Sequence, residues 1–290
     1  MKEMRYTEIF RSLQGEGMYT GANTVWLRFF QCNLECRGFG QPEPANPATY
    51  FDVGQTIDIS DITHLDDVPV HEYGCDSAYS VAKQYRHLAY KNTPIEVADK
   101  LVDLMRNDNN PEGKFVNPMS KMDTHMAFTG GEPMMNQAAI MSIMDHFAAI
   151  DNVPENVTIE TNGTRAIREF AHLPTSVFWS VSPKLLHVSG EDSKKAIKPE
   201  VLEQYAKIAN HGQLKFVLNN DQQSWIELYN AISLYRDAGI EWPVYIMPVG
   251  GLKEQQESEQ TMAVVQRALD EGYHVSGRLH TYIFGNAHNT

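Results

Sequence analysis

From residue 125 onward the chain alternates strand-like and helix-like segments. Strand-like runs fall at 125–129, 157–160, 177–181, 214–218 and 244–247, and helix-like runs at 136–150, 199–209, 222–238 and 256–271. This alternation constrains the fold more than any other feature, because a helix returning the chain between two strands leaves those strands parallel. The strands are too few for eight full repeats, so the expected fold is α/β, a partial, open TIM-like barrel of parallel strands. At 290 residues a single domain spanning 1–290 is expected, large enough to bury a core without covalent staples.

In a parallel barrel, ligand-binding groups gather after the C-terminal ends of the strands. The residues there are conspicuous. Met126-Ala127-Phe128-Thr129 runs into Gly130-Gly131-Glu132-Pro133, a glycine pair that exposes backbone ahead of a carboxylate. The next strands end in Glu160-Thr161-Asn162-Gly163-Thr164 and Ser180-Val181-Ser182-Pro183-Lys184, with short polar side chains suited to hydrogen-bonding a carboxylate, ribose or phosphate-like group. Lys215-Phe216-Val217 and Met247-Pro248-Val249-Gly250 follow the same logic. Taken singly, a glycine pair is more often an ordinary turn, Lys184 a solvated lysine and Met247 a core residue.

All three cysteines, Cys32, Cys36 and Cys75, lie between residues 28 and 77. The first two sit on the loop leaving a strand-like segment at 25–30. An odd number of cysteines without a secretory leader disfavours a disulfide framework and favours metal or catalytic thiols. Three thiolates leave one coordination position of a metal group open for something that must react. A closed zinc site or unrelated buried thiols are the alternatives. Between Cys36 and Cys75 stand 38 residues, and 37–73 reads as an ordered insertion within the loop, since its ends must converge.

Ahead of the cysteines, the apolar piece Ile9-Phe10-Arg11-Ser12-Leu13 breaks into the glycine-bracketed turn Gln14-Gly15-Glu16-Gly17. Such a turn brings backbone close to a ligand, with Gln14 and Glu16 as polar teeth. After the cysteines, helical spacing is expected over 80–90 and over 94–105, the latter with Thr93 as cap and Pro94 in its first turn. Acidic residues outnumber basic ones by 37 to 24, a net charge of -13, which argues against sequence-independent nucleic-acid binding. No segment is long and apolar enough to cross a bilayer and no hydrophobic leader opens the chain, so a cytoplasmic location is expected.

Cys32-x3-Cys36 with Cys75, followed by Gly130-Gly131-Glu132-Pro133, resembles the paired motifs of radical S-adenosylmethionine (SAM) enzymes. Within that superfamily, the Gln14-Gly15-Glu16-Gly17 turn, Arg28 and the ending Arg278-Leu279-His280 resemble 7-carboxy-7-deazaguanine synthases. The resemblance covers nearly the whole chain outside the insertion.

The resemblance implies an enzyme that converts 6-carboxy-5,6,7,8-tetrahydropterin to 7-carboxy-7-deazaguanine with loss of ammonia. It implies a 4Fe-4S cluster on Cys32, Cys36 and Cys75, SAM and Mg2+, the last on the Ser77 hydroxyl. Gly130, Gly131, Glu132, Thr161, Asn162, Ser182, Lys184 and Met247 would meet SAM. Leu13, Gln14, Gly15, Glu16, Arg28, Thr129 and His280 would hold the pterin. A reducing partner such as a flavodoxin or ferredoxin and a homodimer come with the family. Two other readings compete: a radical SAM activase of a partner protein, and a zinc module closed by a histidine such as His71.

Overall fold

The structure, a computed structural model, describes residues 2–168, 170, 177–285 and 287–289. Among them the strands are β1 (Met4–Leu13), β2 (Asn23–Phe29), β3 (Tyr90–Asn92), β4 (His125–Gly130), β5 (Val157–Thr161), β6 (Val177–Val181), β7 (Gly212–Leu218), β8 (Val244–Pro248) and β9 (His274–Val275). They form one sheet in the order β3-β1-β2-β4-β5-β6-β7-β8-β9. Every pairing from β2 to β9 is parallel, whereas β1 runs antiparallel to both β2 and β3. Among the described residues the two ends of the sheet do not pair, so the barrel is open, as the alternation predicts.

Alternation along each strand sorts two populations of side chain. Val25, Leu27 and Phe29 of β2, Met126 and Phe128 of β4, and Trp179 and Val181 of β6 face outward into the main core. There they meet the apolar faces of α1 (Pro94–Met105) and α2 (Gln137–Ala149). The inward set is different: Arg28 and Thr129 toward the strand ends, with Phe10, Trp26 and Ala127 packed as a small apolar floor. Inside a barrel this small, side chains and not solvent fill the lower layers.

The helices largely follow the periodic pattern. α1 begins with a capping box: Thr93 accepts from the Glu96 N–H while the Glu96 carboxylate accepts from the Thr93 N–H at 2.7 Å. α3 (Leu186–Ser189), α4 (Ser193–Ala196), α5 (Pro199–Ile208) and α6 (Gln222–Asp237) follow β6 and β7. The run at 256–271 becomes α8 (Glu259–Asp270), which starts where the Ser258 hydroxyl accepts from the Thr261 N–H, and a separate short α7 (Lys253–Gln256) precedes it. The last, α9 (Leu279–Phe284), carries His280.

The structure departs from the pattern in two places. The segment 80–90 is not an α-helix; 3-10 turns at Ala78–Ser80 and Lys83–His87 lead into β3. Tertiary contacts override the periodicity here. Tyr85 and Leu88 are buried with Phe30 and with Ile59 and Val68 of the insertion, while the Gln84 amide donates to the carbonyls of Gly54 and Ile57. The other departure is β1, ten residues long where the sequence suggested only a short apolar piece. Its register with β2 slips between Tyr6 and Glu8, a bulge that turns Tyr6 to the outer core and Glu8 to the interior opposite Arg28.

Candidate active site

The C-terminal ends of the strands surround a cavity of about 450 Å³, within the range of small-molecule sites. Leu13, Gln14, Gly15, Glu16, Arg28, Cys32, Cys36, Cys75, Ser77 and Thr129 line it, as do Gly130, Gly131, Thr161, Asn162, Ser182, Lys184, Met247 and His280. Glu132 alone among the sequence-predicted site residues lies behind the wall, fully buried.

The cysteine loop leaves β2 through Gln31, held in the left-handed region with φ of 88°. The glycine pair fixes this loop. The Gly131 N–H donates to the Phe29 carbonyl at 3.1 Å and the Glu132 N–H to the Gln31 carbonyl at 2.9 Å. Gly130 has φ of 137°, and a Cβ on either glycine would overlap the backbone of 29–32. Cys36 also lies in the left-handed region, with φ of 51°. Its N–H and that of Glu35 both donate to one carboxylate oxygen of Glu191, at 2.8 and 2.6 Å. That buried carboxylate is completed by Lys195 at 3.1 Å.

Burial raises all three thiols: Cys32 to about 11, Cys75 to about 12 and Cys36 well above its ordinary value. The three sulfurs lie near enough for each to influence another's charge. Cys32 accepts from the Leu34 N–H at 3.4 Å and the Asn162 amide at 3.7 Å. Low-dielectric surroundings of this kind need a cationic group to hold the thiolates. Among the described residues no three His, Cys, Asp or Glu side chains converge tightly enough for a single ion. His71 instead contacts the Tyr85 hydroxyl at 3.0 Å. The three thiols share one cavity wall, a donor set that fits a group held by three thiolates.

Glu132 ties the next strand to this loop. Its carboxylate accepts from the Thr161 hydroxyl at 2.7 Å, the Asn162 N–H at 2.8 Å and the Met134 N–H at 2.9 Å. Glu132→Ala strands three buried donors, each costing about 1 to 3 kcal/mol. A loss of several kcal/mol in chemical denaturation is expected, and a change under 1 kcal/mol would contradict this linking role.

Deeper in the barrel lies a ring of charge that the motifs do not announce. The Lys215 ammonium, 4% exposed, pairs closely with Glu16 and stands 3.8 Å from Glu160. Arg278 reaches Asp76 at 3.0 Å and Glu16 at 3.6 Å. Burial alone would raise the Glu16 carboxyl, but Lys215, Arg278 and His280 outweigh it and hold it far below the usual carboxylate range. Burial lowers His280, against the opposing pull of Glu16. Gly15 has no room for a Cβ, since one would overlap the His280 ring, and the Leu279 N–H donates to the Gly15 carbonyl at 2.9 Å.

Arg28 sits among these groups with its charge already answered. Its guanidinium pairs with Glu8, donates to the Ser77 hydroxyl at 3.2 Å and stands 5.8 Å from the Tyr79 ring centre. Among the described residues one buried donor of the cavity wall, Trp26 Nε1, has no hydrogen-bond partner, and Arg278 Nε meets only the Glu16 carboxylate at 3.6 Å. Groups of this kind suit a polar, planar ligand.

Sequence reasoning missed Glu8, Asp76, Glu160 and Glu191 as site residues, and it placed Lys215 at a strand end and Arg278 in the Arg-Leu-His ending without giving either side chain a role of its own. Glu160 and Asp76 adjoin motifs already in view, so their position was a usable signal. Glu8 depends on the bulge and Glu191 on tertiary approach, and neither leaves a local mark.

No family model matches the chain. A 7-carboxy-7-deazaguanine synthase of Rickettsia prowazekii is 22% identical over 283 residues, covering 97% of this chain and 88% of that protein. Those of Halobacterium salinarum and Nitratidesulfovibrio vulgaris are 26% and 29% identical, covering 98% and 68% of this chain and 91% and 71% of theirs. The crystal structure of QueE from Escherichia coli shares the fold with a TM-score of 0.53 at 18% identity, covering 96% of this chain and 95% of that one. In sequence along nearly its whole length the chain is similar to curated 7-carboxy-7-deazaguanine synthases.

Proposed function

We propose that this protein is a radical SAM lyase that converts 6-carboxy-5,6,7,8-tetrahydropterin to 7-carboxy-7-deazaguanine with release of ammonia, in 7-deazapurine (queuosine-type) biosynthesis. One observation carries the reading: the three cysteines, the Gln14 to Glu16 turn, Arg28 and His280 all line one cavity of about 450 Å³. An activase would need an open groove for a protein substrate, whereas this cavity suits a small molecule.

The cofactors of this reaction are a 4Fe-4S cluster, SAM and Mg2+, and together they supply a reductively generated hydrogen-abstracting species that the chain's own groups cannot. Cys32, Cys36 and Cys75 would hold the cluster. Gly130, Gly131, Thr161, Asn162, Ser182, Lys184 and Met247 would receive SAM, with Glu132 bracing their strand ends from behind. The Ser77 hydroxyl, beside the Asp76 carboxylate at 3.2 Å, offers Mg2+ an oxygen.

The pterin would lie over the apolar floor of Phe10 and Trp26. Gln14, Glu16 and Thr129 present donors and acceptors to the ring, while Arg28, Lys215 and Arg278, each also paired with a carboxylate of the chain, offer cationic donors to the ligand's carboxylate. His280, held toward the neutral imidazole by burial, is suited to exchange a proton with the ligand. The reading brings with it a flavodoxin- or ferredoxin-type reductant, a homodimer and a cytoplasmic setting; among the described residues no helix is long and apolar enough to cross a membrane.

The test is anaerobic turnover. Protein reconstituted with iron and sulfide, then supplied with SAM, Mg2+, dithionite and the carboxypterin, is expected to release ammonia and the carboxydeazaguanine. A protein that takes up its cluster and cleaves SAM but leaves the carboxypterin untouched refutes the assignment and favours the activase.

A further inference from the structure

On a chain of net charge -13, one shallow surface depression gathers Arg5, Lys83, Arg86, His87 and Lys91. Lys83, Arg86, His87 and Lys91 are exposed. Among the described residues Arg5, Lys83, Arg86 and Lys91 make no ion pair. Arg5 and Lys91 are direct cross-strand partners in the β1–β3 ladder, a like-charge juxtaposition that opposes folding. Each ring nitrogen of His87 lies 2.8 Å from a carbonyl oxygen, Gln84 on one side and Ile62 on the other. Lysine on an edge strand such as β3 is a common guard against aggregation, but Lys83, Arg86 and His87 belong to no strand.

The depression lies against the root of the cysteine loop. The Phe30 N–H donates to the Arg5 carbonyl at 3.1 Å, and the Gln31 N–H to the Ser80 carbonyl at 2.7 Å. Cys32 follows Gln31, one Cα–Cα step of about 3.8 Å further on. Short covalent and hydrogen-bonded routes therefore join this basic surface to a sulfur of the cavity.

We propose that this surface docks an acidic one-electron carrier protein, which delivers through the cysteine loop the electron that reduces the cluster before turnover; the overall conversion is itself redox-neutral. The inference rests on the proposed function. In the step the carrier loses one electron and the cluster gains it, and no bond forms or breaks. Complementary charge speeds encounter and fades with salt, since exposed charges are screened beyond about 8 Å at physiological ionic strength. A nucleic acid would also meet cations, but the acidic remainder of the chain repels a long polyanion, and proximity to Cys32 serves only an electron donor.

The experiment compares the reconstituted wild type with Lys83→Glu/Arg86→Glu and with a control of equal charge change, Lys121→Glu/Lys207→Glu, placed on other exposed surfaces. Cluster reduction by a purified acidic flavodoxin in its hydroquinone form is followed by stopped flow at low and high salt. Binding is measured by calorimetry. The docking variant is expected to lose at least tenfold in rate at low salt, together with most of its salt dependence and its binding heat. The control and wild type should match. Lys83→Ala/Arg86→Ala should fall between, and all proteins should be reduced equally by dithionite. Equal flavodoxin rates in wild type and docking variant overturn the proposal, as does binding of a tRNA at this surface in place of flavodoxin. Dithionite-driven carboxypterin turnover in every variant separates this outcome from failure of the proposed function, in which turnover is absent throughout.

Discussion

Cys75→Ala is expected to lose the broad iron-sulfur absorption and to bring SAM cleavage down to background. Cys75 is positioned independently of the other two thiols, by the Gly74 N–H on the Phe39 carbonyl at 2.8 Å and by the Ala78 N–H on its own carbonyl at 3.0 Å. Nothing nearby can take its place, because the chain holds only three cysteines and His71 is engaged by Tyr85. The side chain is only partly buried, so its removal should leave the fold intact, with a melting temperature close to wild type. Iron and sulfide content per chain and 5'-deoxyadenosine formation are the measurements. A variant that keeps four irons and cleaves SAM would sink the assignment of Cys75, and with it the idea that a 38-residue interruption leaves the three-thiol set intact.

Lys215→Met should have the largest effect on stability. It removes the cation between Glu16 and Glu160 and leaves two largely buried carboxylates facing each other. Breaking a buried pair in this way costs about 3 to 5 kcal/mol. The sign of the pH dependence follows from Glu16. Its folded-state pKa is depressed, so its charged form stabilises the wild type fully above the ordinary carboxyl value of 4.5, and that stability is lost only as pH falls toward the depressed value. In the variant the principal depressing cation is gone, and only Arg278 and His280 still oppose the upward push of burial on Glu16. The deficit should be largest near pH 7 and should narrow toward pH 4, as the variant's carboxyl protonates and escapes the unpaired charge. Denaturant titrations at the two pH values check both points. A deficit that widens in acid would show that Lys215 does not owe its place to these carboxylates.

Much of the architecture was legible in the sequence because it is local or periodic. The strand at 177–181, the Thr93 cap with Pro94 behind it and the glycine pair at 130–131 each express a preference of the backbone within a few residues, and the structure keeps them. The motifs after β4, β5 and β6 were legible for a related reason: a parallel barrel sends every strand end to the same rim, so residues distant in sequence must share one cavity. What the chain could not announce was the charge inside that rim. Glu8 faces Arg28 only because a bulge reverses the alternation of β1. Glu191 reaches the N–H groups of Glu35 and Cys36 across more than a hundred residues, and Lys215 finds Glu16 across nearly two hundred. The segment 80–90 has helical spacing but gives it up to bury Tyr85 and Leu88 against the insertion. Periodicity records which face a residue wants to bury. Which buried charge answers which, and whether a short helix survives its neighbours, depends on through-space energies that exist only once the strands have closed around the cavity.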